Sequence, residues 1–182
     1  MSQYNIIAES AEYTVVSEYE HAVSTSEAYQ SEAELEKEFI RLLGEQGYEY
    51  LPIHTEADLV SNLRTSLEKL NDYRFTDNEW EHFFNECIAN KNDDIVAKTA
   101  RIQEDYIQVL KRDNGESRNI YIIDKKNIHN NFVQVINQYV EEGGNYDTRY
   151  DVTILVNGLP LVHIELKRRG VQLKEAFNQI NR

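Results

Sequence analysis

In the first half of the chain apolar residues recur at helical spacing, and in the second half they alternate. Leu35, Phe39, Leu42 and Leu43 return every three or four positions before Gly47, and Ser31 with Glu34 has the spacing of a capping box. Residues 32–46 are therefore expected to form a helix. Leu59, Leu63, Leu67 and Leu70 predict a shorter helix after it. Thr76 and Glu79 repeat the capping signature ahead of Trp80, Phe83, Phe84, Cys87 and Ile88, and Ile95, Ile102, Tyr106, Val109 and Leu110 read as a longer helix ending near Asp113-Asn114-Gly115. After Gly115 β-branched and aromatic residues dominate residues 119–123, 132–140 and 150–156, which read as strands. With turns at Glu142-Gly143-Gly144-Asn145 and Asn157-Gly158-Leu159-Pro160, residues 118–167 are expected to form an antiparallel meander. Leu173, Ala176, Phe177 and Ile180 imply a last helix with no stop signal before Arg182, so a fragment of a longer polypeptide is expected. Residues 1–29 form an acidic, tyrosine-bearing arm whose runs Asn5-Ile6-Ile7 and Tyr13-Thr14-Val15-Val16 suit short strands.

These elements predict one α/β domain over residues 1–182: a central mixed β-sheet flanked by helices, with an inserted helical segment at 58–112 and a sheet and helix at 118–182. A length of 182 residues with 41% hydrophobic residues is enough to fill the core of such a domain. There is no run of about 18 apolar residues, and the N-terminus MSQYNIIAESAEY lacks the basic and apolar regions of a secretory signal. A cytoplasmic protein without a membrane partner is expected. The single cysteine, Cys87, excludes an internal disulfide and sits among apolar neighbours like a small core residue.

The formal net charge of -13 argues against a polyanionic partner until it is resolved along the chain. Residues 1–60 hold 13 acids against Lys37 and Arg41, or -11, and the rest of the chain holds 17 bases and 19 acids, or -2. The last 22 residues carry Lys167, Arg168, Arg169, Lys174 and Arg182 against Glu165 and Glu175, or +3.

That basic end adjoins the stretch with most chemistry, YDVTILVNGLPLVHIELKRRG at 150–170. Alternation puts Val152, Ile154 and Val156 on one face of the first strand, and Asp151, Thr153 and Leu155 on the other. On the second strand His163, Glu165 and Lys167 lie opposite Val162, Ile164 and Leu166. If the apolar rows coincide, Asp151, Glu165 and Lys167 converge. A two-residue turn at Gly158-Leu159 would place Asp151 across from Leu166, on the wrong face, so convergence requires an odd loop or a bulge. Two neighbouring carboxylates stay ionised together most readily around a divalent cation, and oxygen donors with retained waters suit Mg²⁺. A lysine beside them can orient an attacking water and offset charge on a phosphate, which fits phosphodiester hydrolysis. The alternative is an exposed cross-strand ion pair of no catalytic significance. Arg168, Arg169 and Lys174 are candidate phosphate contacts, with a solubilising turn as the alternative. His163 reads as a hydrogen-bonding residue, His21, His54, His82 and His129 have no metal spacing, and there is no GxxxxGK[ST] loop.

From YQSEAELEKEFIRLL to the last residue, and most strongly in YD, VHIELKRRG and EAFNQINR, the chain resembles the N-terminal nuclease domain of the restriction (R) subunit of type I restriction-modification enzymes, of the PD-(D/E)xK nuclease superfamily. The resemblance implies a restriction-endonuclease-like fold and Mg²⁺-dependent cleavage of double-stranded DNA. Asp151 would be the first acid, Glu165 the second and Lys167 the motif lysine, with Tyr150 where the motif's name has Pro. Asp151 and Glu165 would hold the metal. Gln179 matches the glutamine of the family's Gln-x-x-x-Tyr element, thought to contact DNA or support the site, and a glutamate of the first helix, Glu32 or Glu36, is a further candidate. Modification and specificity subunits would be partners, and ATP-driven translocation would belong to motor domains outside this chain. Two other functions stay open from sequence: a non-catalytic DNA-binding or subunit-docking module with the same fold, and an acidic scaffold acting through its N-terminal arm.

Overall fold

The computed structural model describes residues 5–9, 15–18, 31–141, 148–167 and 174. Its elements, in order, are β1 (Asn5–Glu9), β2 (Val15–Glu18), α1 (Glu32–Glu45), β3 (Glu49–Tyr50), α2 (Glu56–Asn71), α3 (Asp77–Phe83), α4 (Ile95–Gln103), β4 (Ile107–Lys111), β5 (Ser117–Tyr121), β6 (Val133–Glu141), β7 (Thr148–Val156) and β8 (Leu159–Ile164). A π-helical turn, Phe84–Ile88, extends α3. The chain divides into two compact units: Ile40–Ile164, and Met1–Phe39 with Glu165–Arg182. No helix among the described residues is long and apolar enough to cross a membrane.

In the second of these units β1 pairs antiparallel with β2, as the apolar runs of the arm suggest. The predicted capping box opens α1: Ser31 Oγ accepts from the Glu34 amide at 3.3 Å, and the Glu34 carboxylate accepts from the Ser31 amide at 2.8 Å.

The larger unit is built on a four-stranded mixed sheet of order β3-β6-β7-β8, in which β3 runs parallel to β6 and the other pairs are antiparallel. α2 lies against it. Thr55 caps this helix by accepting from the Asp58 amide, and Asp72 ends it in the left-handed region at φ +45°. Its apolar stripe joins two clusters. Leu63 and Leu67 pack with Phe75, Trp80, Phe83, Leu110, Ile120, Ile122 and Leu159. Leu59 packs with Ile53, Ile136, Tyr139 and Leu155 on the sheet.

Two expectations are corrected here. The helix read through Leu110 stops at Gln103, and residues 107–111, the end of the expected helical segment, form strand β4. The spacing of Ile102, Tyr106, Val109 and Leu110 suits either period, and Asp113-Asn114-Gly115 is a hairpin turn rather than a helix stop. Gly115 there has φ +85°, and its amide donates to the Arg112 carbonyl at 2.9 Å. The second correction follows from the first: β5 pairs back onto β4, so the strand near 119 is not part of the meander, which is β6-β7-β8 alone. The pairing buries Leu110 and Ile120 together, at 2% and 0% exposure. The turn expected at 142–145 and the helix expected at 173–180 lie outside the described residues, apart from Lys174, which is helical.

The α3 capping box also stabilises the loop before β5. Glu79 is 3% exposed, and its carboxylate accepts from the Thr76 amide at 3.0 Å, the Tyr73 hydroxyl at 2.8 Å and the Asp113 amide at 3.2 Å. Burial pushes this carboxyl up, but the three hydrogen bonds outweigh it and hold the group below the ordinary glutamate value. Because the folded value is depressed, the stabilisation is full above the unfolded glutamate range and is lost as pH falls through the folded value. Glu79→Ala should cost about 2–4 kcal/mol in urea denaturation, the scale of leaving buried donors unsatisfied. Glu79→Gln should flatten the acid limb of stability against pH, and a limb identical to that of the unaltered chain would refute this account.

Gly158, in the turn between β7 and β8, meets the backbone of α2. A Cβ built there would lie 2.5 Å from Leu63 Cα, and φ is +83°. Gly158→Ala should destabilise by about 2–4 kcal/mol, combining overpacking with backbone strain, and shift the thermal midpoint accordingly.

Candidate active site

The hairpin of β7 and β8 sets the geometry. Asn157 and Gly158 both have positive φ, +53° and +83°, the requirement of a two-residue type I′ turn, so Val156 pairs with Leu159 and Leu155 with Pro160. A bulge at Leu161 then shifts the register, and Ile154 pairs with Val162, Thr153 with His163 and Val152 with Ile164. Without it Val152 would sit across from His163, and every side chain of β8 beyond the bulge would change face relative to β7. Of the two devices the sequence allows, an odd loop or a bulge, the bulge is present, next to a two-residue turn. Asn157 secures the turn from within: it is fully buried, its side-chain amide donates to the Ile122 carbonyl at 2.9 Å and to Asn131 Oδ1 at 2.8 Å, and its Oδ1 accepts from the Phe132 amide at 2.8 Å.

His163 is held as a hydrogen-bonding residue, with Nδ1 at 3.0 Å from Thr153 Oγ1. Its ring also stacks on Tyr150, with centroids 3.9 Å apart and planes at 18°. Thr153 and Tyr150 thus reach one ring although strict alternation would put them on opposite faces. The alternation that sets Asp151 beside Thr153 is interrupted between them. On the neighbouring strand Gln138 takes φ +53° within β6. Sequence carries no signal for this residue, since a glutamine in a strand suggests nothing left-handed. Tyr139, Tyr150 and His163 line a cavity of about 400 Å³ together with His54, Leu59 and Val60.

Glu165 and Lys167 follow the end of β8. Lys167 Nζ lies 2.6 Å from Glu165 Oε1, and the side chains are only 15% and 4% exposed for the lysine and the glutamate. A carboxylate and an ammonium removed from water to this extent carry a desolvation cost that their mutual attraction repays only in part, so the pair is weak evidence for a stabilising role. Asp151, half-buried on β7, belongs to the other unit. On α1, Glu32 is exposed and Glu36 half-buried. Lys174 is exposed, and Arg168, Arg169 and Gln179 lie outside the described residues. Among the described residues no three His, Cys, Asp or Glu side chains form a group that could hold a metal ion.

Comparison with known proteins adds ancestry to this geometry. Residues 29–182 match the family model of the type I restriction enzyme R protein N terminus. The chain is 46% identical over 177 residues, 97% of its length, to the type I restriction enzyme EcoprrI endonuclease subunit of Escherichia coli, of which it covers 56%. It is 41% identical over 160 residues to the SauCOLORF180P endonuclease subunit of Staphylococcus aureus strain COL and 42% over 159 residues to the SsaAORF53P endonuclease subunit of Staphylococcus saprophyticus. Each of these two alignments covers 85% of this chain and 17% or 16% of the relative, so the chain spans about half the E. coli protein and about a sixth of the staphylococcal ones. A match over so much of its length, including the stretch that carries Asp151, Glu165 and Lys167, places the chain in the family of type I restriction enzyme R protein N termini.

Proposed function

We propose that the chain is the endonuclease domain of a type I restriction enzyme R subunit, hydrolysing phosphodiester bonds of duplex DNA at a site made of Asp151, Glu165 and Lys167. The observation that carries this reading is the Glu165–Lys167 pair, nearly withdrawn from solvent. It follows directly on β8, the strand that pairs antiparallel with the strand carrying Asp151. The relatives' names, endonuclease subunits, support the same reading.

The donor chemistry fits a hard divalent cation, Mg²⁺, for which two carboxylates suffice when water completes the shell. Asp151 and Glu165 would hold it. The chemistry it supplies there is Lewis-acid activation of the phosphodiester and of the attacking water. Glu165 presents a carboxylate oxygen already held by Lys167, so its orientation is set before substrate arrives. Lys167 donates from its ammonium, orients the water and offsets the charge that grows on the phosphate. Arg168, Arg169 and Lys174 contact backbone phosphates on either strand, and Gln179 supports DNA contact. None of these contacts reads a base edge, so target choice falls to the specificity and modification subunits of the complex. ATP is used elsewhere in the full-length subunit, by the motor that moves the DNA.

In the complete ATP-fuelled complex, Asp151→Asn, Glu165→Gln and Lys167→Ala should each lower DNA cleavage by about 10²–10³-fold, the scale of losing one preorganised electrostatic group, while ATP hydrolysis persists. A Lys167→Ala subunit cutting at the unaltered rate would leave a docking module as the better description. Replacing Arg168, Arg169 and Lys174 by alanine should reduce the slope of log affinity against log salt by about 1 for each phosphate that is no longer neutralised. An unchanged slope would remove these residues from the DNA interface.

A further inference from the structure

The cavity of about 400 Å³ lies wholly within the larger unit, and the chemistry proposed for Asp151, Glu165 and Lys167 makes no use of it. Its volume falls in the range of about 300–1,000 Å³ typical of small-ligand sites, and its lining has their character, mostly apolar with a few polar groups. Leu59 and Val60 come from α2 and Phe84 from the π-helical turn after α3, while Tyr150 and His163 come from β7 and β8. His54 and Glu56, both exposed where the chain enters α2, supply polar groups.

The ring pair sets the kind of ligand. Tyr150 and His163 lie nearly parallel, with centroids 3.9 Å apart and planes at 18°. His163 is exposed although two contacts fix it, the Tyr150 ring and the hydroxyl of fully buried Thr153 at 3.0 Å from Nδ1. A ring already fixed loses little further freedom when a ligand stacks on the pair, which favours binding. Aromatic rings stack in offset layers, so a parallel pair is a platform for a third flat ring. Charge narrows the choice. Among the described residues no lysine or arginine lines the cavity and Glu56 does, so the lining suits a neutral heterocycle and not a phosphate. Tyr150 directly precedes Asp151 on β7, and consecutive residues are about 3.8 Å apart, so the platform and the first acid of the proposed site belong to neighbouring residues. That points to a base of the DNA among neutral heterocycles.

We propose that this cavity holds an unpaired nucleobase of the DNA substrate, stacked on the Tyr150–His163 pair. This rests on the nuclease reading above. Taking a base out of a duplex costs pairing and stacking energy, and least where the base is already unpaired, so the cavity favours DNA with an unpaired base over a fully paired duplex. Stacking uses the π-face that every base has, so the site tolerates any sequence.

The test is titration of the isotope-labelled 182-residue chain with deoxyadenosine, an uncharged nucleoside, followed by NMR. Signals of Val60, Phe84 and His163 should shift saturably, and deoxyribose phosphate, which has no base, should leave them in place. His163→Ala should weaken binding at least fivefold, the fold-change that about 1 kcal/mol of base stacking gives, whereas His163→Phe, which keeps a ring without the Thr153 bond, should bind within about twofold. Val60→Phe, which fills the cavity and leaves the ring pair intact, should also weaken binding at least fivefold, and it replaces His163→Ala if that variant loses its circular dichroism spectrum. A duplex with one unpaired adenine should displace deoxyadenosine, and a fully paired duplex at the same concentration should not. Unshifted lining signals, equal shifts with the sugar phosphate, or a folded His163→Ala or Val60→Phe chain of unaltered affinity overturns the proposal. So does deoxyadenosine that stays bound against the duplex with the unpaired adenine, since the ligand is then a free nucleoside. Lys167→Ala separates the two readings. A complete complex that cleaves with it at the unaltered rate removes the nuclease reading and leaves the measured base binding standing, whereas base binding that fails while cleavage requires Lys167 removes the base site alone.

Discussion

The larger unit depends on the close approach of the Asn157-Gly158 turn to α2. Gly158 lies where no side chain fits against the Leu63 backbone, and Asn157 is sealed beneath it by hydrogen bonds to Ile122, Asn131 and Phe132. A turn fixed at both residues cannot drift by one position, and a drift by one would invert every side chain of the hairpin. The register of β7 against β8 is therefore determined at the turn, and the bulge at Leu161 converts it into the one that sets Thr153 across from His163.

From that register follow two kinds of irregularity with different consequences. The bulge changes which residues of β8 face which residues of β7. The left-handed backbone of Gln138 lies between Asn137↔Val152 and Tyr139↔Tyr150, and the β6–β7 register is the same on both sides of it. Near them Tyr150 and Thr153 both reach the ring of His163, which strict alternation along β7 would not allow. Regular strands suffice to build a sheet, and departures of this kind are what place a polar group where the pleat would not.

Charge supports the same division of labour. The net charge of -13 is mostly the -11 of residues 1–60, whereas the last 22 residues carry +3 around Glu165 and Lys167. Attraction of a polyanion depends on local potential within about a Debye length of 10 Å, so an acidic total is compatible with a basic surface beside the proposed site. The Glu165–Lys167 pair reflects the same balance at shorter range, because a nearly buried carboxylate needs a cation near it whatever else binds there.

Much of the fold is legible in the chain wherever structure is decided within a few residues. Both capping boxes, Ser31 with Glu34 and Thr76 with Glu79, form as their spacing demands, because a cap is closed by atoms three positions apart. The leucine stripe of α2 and the apolar character of β6 and β7 are equally plain, and so is the need for an odd loop or a bulge in the hairpin. By contrast β4 reads as helix, since four apolar positions cannot distinguish one period from the other until a partner strand is present. Its pairing with β5 and the parallel contact of two-residue β3 with β6 are long-range events with no local signature. The candidate carboxylates and lysine can be named from the order of residues alone, because the chemistry belongs to residue types and their spacing. The left-handed backbone of Gln138 within β6 cannot, because φ +53° at a residue with a Cβ persists only under packing that exists once the sheet has assembled.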